Sequence, residues 1–280
     1  MSFNNDIKIA YNNATVAEKF IYINVAIFFM SLFFKSFFID WFTLKSGIEN
    51  LSSQPWTLIT HAFIHNNLLH ILSNLFVLYF IGNLFLDFFS KKQFLNLYFL
   101  GILSGGIAFL TYYFITKNTG FPLGGASAAV TAIFVAITVK IPHYSIRLRL
   151  IGSIELWVLT AIWIVLSLLE LSTANKGSSI AHLGGALIGF VYAKQLERGM
   201  DIGKWVESTI NFFSNLFKQK KHSPLRTVHK KQHIKRKPTH KEVNQNQQQI
   251  NKILDKIGKS GYESLNKEEK EFLFKSGNKK

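Results

Sequence analysis

Ser127-Ala128-Ala129-Val130-Thr131-Ala132-Ile133-Phe134-Val135-Ala136-Ile137-Thr138-Val139, closed by Lys140, is an uncharged stretch that reads as a membrane helix of insufficient length. At about 1.5 Å per residue its 13 residues cover about 20 Å, against a hydrocarbon core of about 30 Å. With Lys140 at the inner boundary, Ser127 lies roughly 10 Å below the outer surface. The preceding Gly120-Phe121-Pro122-Leu123-Gly124-Gly125-Ala126 must then dip into the membrane. Irregular backbone at that depth is tolerated only when buried in protein or lining a wet cavity. The stretch therefore predicts a water-accessible hollow with a serine at its floor.

Working outward, five further apolar segments approach the roughly 20 residues a spanning helix needs. They are Phe20–Phe38, Leu68–Leu86, Phe94–Ile115, Leu150–Leu171 and Ile180–Ala193. Charge collects between them on one side if all six alternate: Lys91 and Lys92, then Lys140, Arg147 and Arg149, then a basic tail. The positive-inside tendency makes that side the cytosol and places both termini there. The fold expected is an all-α polytopic membrane protein, a six-transmembrane-helix bundle over residues 1–200 with a basic cytosolic C-terminal tail. No signal peptide is expected, because the N-terminus lacks a basic region, a short apolar core and a small-residue cleavage site. A bacterial cytoplasmic membrane is the expected location.

The tail is of a different composition from the bundle. Between Lys218 and Lys241 there are ten Lys or Arg and no Asp or Glu, which supplies much of the net charge of +16. Beside a membrane domain such a run reads as a topology signal or a segment near anionic lipid, and nucleic acid is not the expected partner. Trp205, Val206, Ile210, Phe213, Leu216 and Phe217 recur at helical spacing, so 201–217 is expected as an amphipathic interfacial helix. Residues 218–242 read as a basic linker and 243–280 as a small helical module. Its helices Gln248–Ile257 and Asn266–Phe274 flank the turn Lys259-Ser260-Gly261, with a core of Ile250, Leu254, Ile257, Leu265 and Phe272. There is no Cys, which removes disulfides and thiol catalysis.

Polar side chains are costly in hydrocarbon and are usually functional or partnered. His70 and Asn74 open the second span, Ser127 the fourth and His182 the sixth, so all lie toward the extracytoplasmic side. His70 and Asn74 share a face at i,i+4, and His182, Gly185 and Gly189 share another. Those two glycines admit a close neighbouring backbone. Approach by the fourth span brings Ser127 to His182. A serine hydroxyl needs a base to become a nucleophile, and the transition state needs donors aimed at the oxyanion. The Ser127 N–H at a helix start, the Asn74 amide and His70 are the available donors. No carboxylate in a span is placed to orient His182, so the apparatus is a dyad.

Trp56-Thr57-Leu58-Ile59-Thr60-His61-Ala62-Phe63-Ile64-His65, continued by His70-Ile71-Leu72-Ser73-Asn74, resembles the first-loop and second-span signature of the rhomboid intramembrane serine proteases. Gly125-Ala126-Ser127-Ala128 is similar to their nucleophile motif, and Ala181-His182-Leu183-Gly184-Gly185 through Gly189 to their histidine span. The resemblance covers about residues 15–195. It implies Ser127 as nucleophile, His182 as general base and then acid, and Asn74, His70 and the Ser127 amide as the oxyanion site. It also implies transmembrane proteins as substrates, an acyl-enzyme, and no metal or other cofactor. Ala128 stands where the family commonly has Gly, Thr57 where it often has Arg, and Thr131 where many members carry an aromatic against the histidine.

Three other readings compete. A catalytically inactive relative would bind and escort transmembrane segments, although both Ser127 and His182 are retained. A metal hydrolase would use His61, His65 and His70, but no HExxH occurs and no carboxylate accompanies them. A transporter would show matching broken spans in two halves, which are not evident. His61 and His65 read instead as ties for the first loop.

Overall fold

The computed structural model describes residues 3–148, 152–169, 171, 175–217 and 240–277. It falls into two compact units, Met1–Gln219 and Lys220–Lys280. The first opens with a helix absent from the sequence-based expectation, α1 (Phe3–Asn13), followed by α2 (Val16–Phe33). Thr15 caps α2 in a reciprocal box with Glu18. The Thr15 hydroxyl also donates to Asn83 Oδ1 at 2.8 Å, which pins the helix start to a neighbour.

Helix α2 stops short of the expected Phe38. Phe34 leaves helical geometry (φ −126°, ψ 45°) and the chain restarts as α3 (Lys35–Phe42). Nothing in the local sequence demands the break. Its effect is tertiary: the end of α3 meets the first loop, where Trp56 Nε1 donates to Trp41 O (2.7 Å) and the Thr60 hydroxyl to Phe42 O (3.0 Å). The two indoles stack 7° from parallel. Two short helices follow, α4 (Ile48–Ser53) and α5 (Thr57–Thr60), before α6 (Leu68–Phe88), α7 (Lys91–Thr116) and α8 (Ser127–Lys140).

The expected fifth span begins later than Leu150. Ser145–Leu148 (β1) and Gly152–Glu155 (β2) pair antiparallel, with Ser145 opposite Glu155. Gly152 takes φ +95°, a conformation suited to glycine, at the start of the returning strand. The helix proper is α9 (Leu156–Leu169); Leu150, Ile151 and Glu170 lie outside the described residues. Then come α10 (Lys176–Glu197) and α11 (Lys204–Phe217). By length and composition α2, α6 and α7 can each cross a membrane, while α8 and α9 are shorter apolar helices.

Helix α8 is the centre of this unit. It is buried almost all round, so an apolar helix with little polar face is what its position requires. Small residues let its neighbours close in. A methyl built on Gly101 of α7 would lie 2.7 Å from Ala129 Cα, and one on Gly105 would lie 2.5 Å from the Ala128 methyl. On the other side, methyls on Gly185 and Gly189 of α10 would lie 2.2 Å from Ala128 O and 2.3 Å from Ala132 O. The methyl of Ala128 is thus housed by the missing side chain of Gly105.

Helix α11 docks on the same unit. Val206 is buried and Ile210 packs on the main core, whereas Trp205 is half exposed and not on the inner face with Val206. A Lys92–Glu207 ion pair and the Asp201 carboxylate, which accepts from Tyr192 Oη (3.0 Å) and Gly203 N (2.9 Å), hold the segment to α7 and α10.

In the second unit, α12 (His240–Ser260) is longer than its expected counterpart, and α13 (Lys267–Gly277) follows a tight turn. Most of the expected linker, residues 218–239, lies outside the described residues. The small core corrects one position: Ile253 and Leu265 are buried, while Leu254 is half exposed. One helical step of about 100° separates Ile253 from Leu254, enough to carry the side chain off the inner face. Asn266 and Glu269 cap α13 reciprocally, and Lys256 reaches back to the Glu269 carboxylate at 2.9 Å.

Two outcomes follow for this architecture. Gly185→Ala places a methyl on the Ala128 carbonyl and destabilises the first unit by about 1–3 kcal/mol; Leu187→Ala, on the exposed face of α10, changes it by less than about 0.5 kcal/mol. Thermal unfolding in detergent measures both. In the second unit, hydrogen bonding to Lys256 holds the Glu269 carboxyl below its ordinary value of 4.5. The cap's contribution is therefore complete above pH 4.5 and lost as pH falls through the lowered value. Lys256→Ala moves that titration back up, as read by NMR of the side-chain carboxyl.

Candidate active site

Ser127 is the first residue of α8 and is buried. Its backbone N–H has no intrahelical acceptor and sits where the helix dipole is positive. The Gly105–Ala128 contact also sets its depth. From Gly105, α7 continues to Thr116, about 16 Å at 1.5 Å per residue. The serine is thus sunk well below the end of its neighbour.

The irregular chain leading to Ser127 is tied to the first loop residue by residue. Leu44 and Leu123 exchange backbone hydrogen bonds (3.0 and 2.8 Å). Gly125 N donates to His61 O (2.9 Å), and Ala126 N to His65 Nε2 (3.4 Å). His61 Nδ1 bonds the Thr57 carbonyl within the loop (2.9 Å). Each of these histidines bonds backbone through one ring nitrogen, in keeping with a tie for the first loop. Gly125 has φ +118°, and a methyl there would lie 2.7 Å from His70 Nε2. A glycine is required twice over, for conformation and for room beneath the His70 ring.

His70 stands in the first turn of α6, its ring 5.1 Å from that of His65. Asn74, one turn on, donates from Nδ2 to His70 O at 2.8 Å, and its Oδ1 is buried without a partner. An amide nitrogen carries two protons, so one remains for a ligand. His182 lies in the second turn of α10, buried, with Nδ1 3.0 Å from Ser167 Oγ. Its Nε2 has no hydrogen-bond partner, so no Ser127–His182 bond is made; such bonds often tighten only with substrate.

One cavity of about 410 Å³ gathers these groups: His70, Asn74, Ser127, Trp163, Ser167 and His182 all line it. Four of the six were legible in the sequence. Trp163 and Ser167 were not, because nothing distinguishes them from other residues of an apolar helix. Trp163 answers the substitution at Thr131: its Nε1 donates to Thr131 Oγ1 (2.8 Å), and its ring centroid is 6.5 Å from that of His182. An aromatic beside the histidine is supplied from α9.

Residues 52–198 match the family described as Rhomboid domain. The chain belongs to the rhomboid family. It is 27% identical over 198 residues to RHOMBOID-like protein 12, mitochondrial, of Arabidopsis thaliana, covering 66% of this chain and 57% of that one. It is 29% identical over 160 residues to Presenilin-associated rhomboid-like protein A, mitochondrial, of Danio rerio, covering 54% and 40%. Rhomboid-like protease 2 of Toxoplasma gondii is 28% identical over 148 residues, covering 52% and 50%. The chain thus spans about half the length of these curated relatives. Residues 237–275 match a second family, described as Family of unknown function (DUF6576).

Gly125→Ala combines backbone strain with a clash against His70. Gly199, at φ +78° with nothing within 4 Å, carries only the first of these. The Gly125 variant is expected to lower the thermal midpoint clearly more than Gly199→Ala, whose cost stays at about 1–2 kcal/mol.

Proposed function

We propose that this rhomboid-family protein is an intramembrane serine endopeptidase that hydrolyses a peptide bond in or near a substrate's transmembrane helix. The observation that carries the reading is the single cavity lined by Ser127, His182, His70 and Asn74. In the proposed reaction His182 Nε2 takes the Ser127 hydroxyl proton as Oγ attacks the substrate carbonyl. The Ser127 N–H, the second Asn74 amide proton and His70 receive the developing oxyanion. The proton then passes from His182 to the leaving amine, leaving an acyl group on Ser127. Water entering through the cavity reverses these roles and frees the enzyme.

The substrate segment must unwind first, because its own helix satisfies its backbone groups. Small or helix-breaking residues near the cut therefore help. No metal or nucleotide enters the scheme.

The membrane setting belongs to the same proposal. Helices α2, α6, α7, α8, α9 and α10 are the six spans, with both termini cytosolic. Support comes from the basic segments Lys91-Lys92, Lys140–Arg149 and 218–241, which alternation puts on one side. The tail then lies near anionic lipid, with α11 at the interface. The charge pattern bears on orientation alone; a bacterial cytoplasmic membrane is the proposed location, and the mitochondrial relatives carry a similar domain elsewhere.

Purified protein incubated with a generic transmembrane substrate tests the proposal. Wild type cleaves it, a metal chelator changes nothing, and Ser127→Ala or His182→Ala lowers the rate by about 10³-fold or more. Equal cleavage by wild type and Ser127→Ala would remove the serine mechanism. Binding without cleavage by either, over several substrates, would favour the escort of transmembrane segments.

A further inference from the structure

Helix α9 presents Trp163 and Ser167 one turn apart, and each reaches a different neighbour: Trp163 bonds Thr131 on α8, and Ser167 bonds His182 on α10. Ser167 is buried on a helix whose other large side chains are mostly exposed, among them Trp157, Ile162, Val165 and Leu166. A buried hydroxyl facing the imidazole is therefore an exception within α9. We propose that Ser167 is a positioning residue: its oxygen accepts the Nδ1 proton of His182 and holds the imidazole in the tautomer that leaves Nε2 bare. This deepens the serine-endopeptidase reading, on which its catalytic consequence rests.

The direction of the bond follows from counting protons. Ser167 Oγ has one, and it lies 2.9 Å from the Trp163 carbonyl, an acceptor with nothing to donate. With the proton given there, only a lone pair is left for His182 Nδ1, 3.0 Å away. Nδ1 must then carry the ring proton. The opposite assignment would forfeit the Trp163 carbonyl bond. The favoured tautomer is the one a general base for Ser127 needs, since Nε2 keeps its lone pair. Among the described residues no carboxylate lines the cavity, and a neutral hydroxyl takes the place beside Nδ1 that an acidic group takes elsewhere. As an oxygen acceptor it continues to hold Nδ1–H when Nε2 becomes protonated during the reaction.

The test reads the tautomer directly and activity separately. Full-length protein labelled with ¹⁵N-histidine is examined by two-bond ¹⁵N–¹H correlation, the His182 signals being assigned by their loss in His182→Ala. Wild type shows Nδ1 protonated and Nε2 bare. Ser167→Ala shifts His182 toward a mixture of tautomers and lowers kcat about 10- to 100-fold with KM little changed. Ser167→Thr, which keeps the hydroxyl and its bond to the carbonyl one turn back, restores both the spectrum and kcat to within about threefold. An Nε2-protonated wild type, or a Ser167→Ala protein with unaltered spectrum, overturns the proposal. Should wild type cleave nothing, the endopeptidase reading fails while the spectra still decide the role of Ser167.

Discussion

The approach of α8 to α7 and α10 is the contact on which the remainder depends. Between helices in lipid there is no hydrophobic drive, since the tails are as apolar as leucine, and association rests on close packing. Glycines 101 and 105 on one side and 185 and 189 on the other bring backbone against backbone along α8. That proximity puts the start of α8 beside the first turns of α10, and so places Ser127 and His182 around one cavity. It also sinks the serine below the end of α7, because Gly105, not Thr116, is level with Ala128. A bulkier residue at any of these positions acts on the site through the distance between helices.

A buried irregular segment raises a second demand. Residues 120–126 have backbone groups that helix bonds cannot satisfy, and deep in a membrane protein they must be met internally. The first loop meets several of them, through Leu44, the His61 carbonyl and His65. This explains a cluster of histidines that otherwise suggests a metal centre: two of the three are occupied with backbone. It also explains why α2 ends early, since α3 carries Trp41 and Phe42 to the loop that braces the nucleophile.

Helix α9 is held differently. It offers few buried apolar groups, and beside the packing of Trp163 on Phe134 its contacts with α8 include two polar ones: Trp163 to Thr131, and Thr160 to Thr138 at 2.6 Å. Where little apolar surface is buried, a few hydrogen bonds away from water fix the seating. Thr131, which departs from the aromatic common in the family, becomes an acceptor for an aromatic on another helix. The departure and Trp163 are two halves of one arrangement.

By itself the sequence determined the helical segments near their places, the short fourth helix, and His70, Asn74, Ser127 and His182 among the polar groups around the cavity. These were legible because each rests on local physics: apolar run length, helical spacing, and the cost of polar atoms in hydrocarbon. The tertiary structure decided the break at Phe34, the strand Gly152–Glu155 where the fifth span was expected, and Ile253 in place of Leu254. It alone placed Trp163 and Ser167. A serine and a tryptophan in an apolar helix carry no periodic or charge signal, and their partners lie 15 and 32 residues away. Only the closing of α9 onto its neighbours turns them into part of the site.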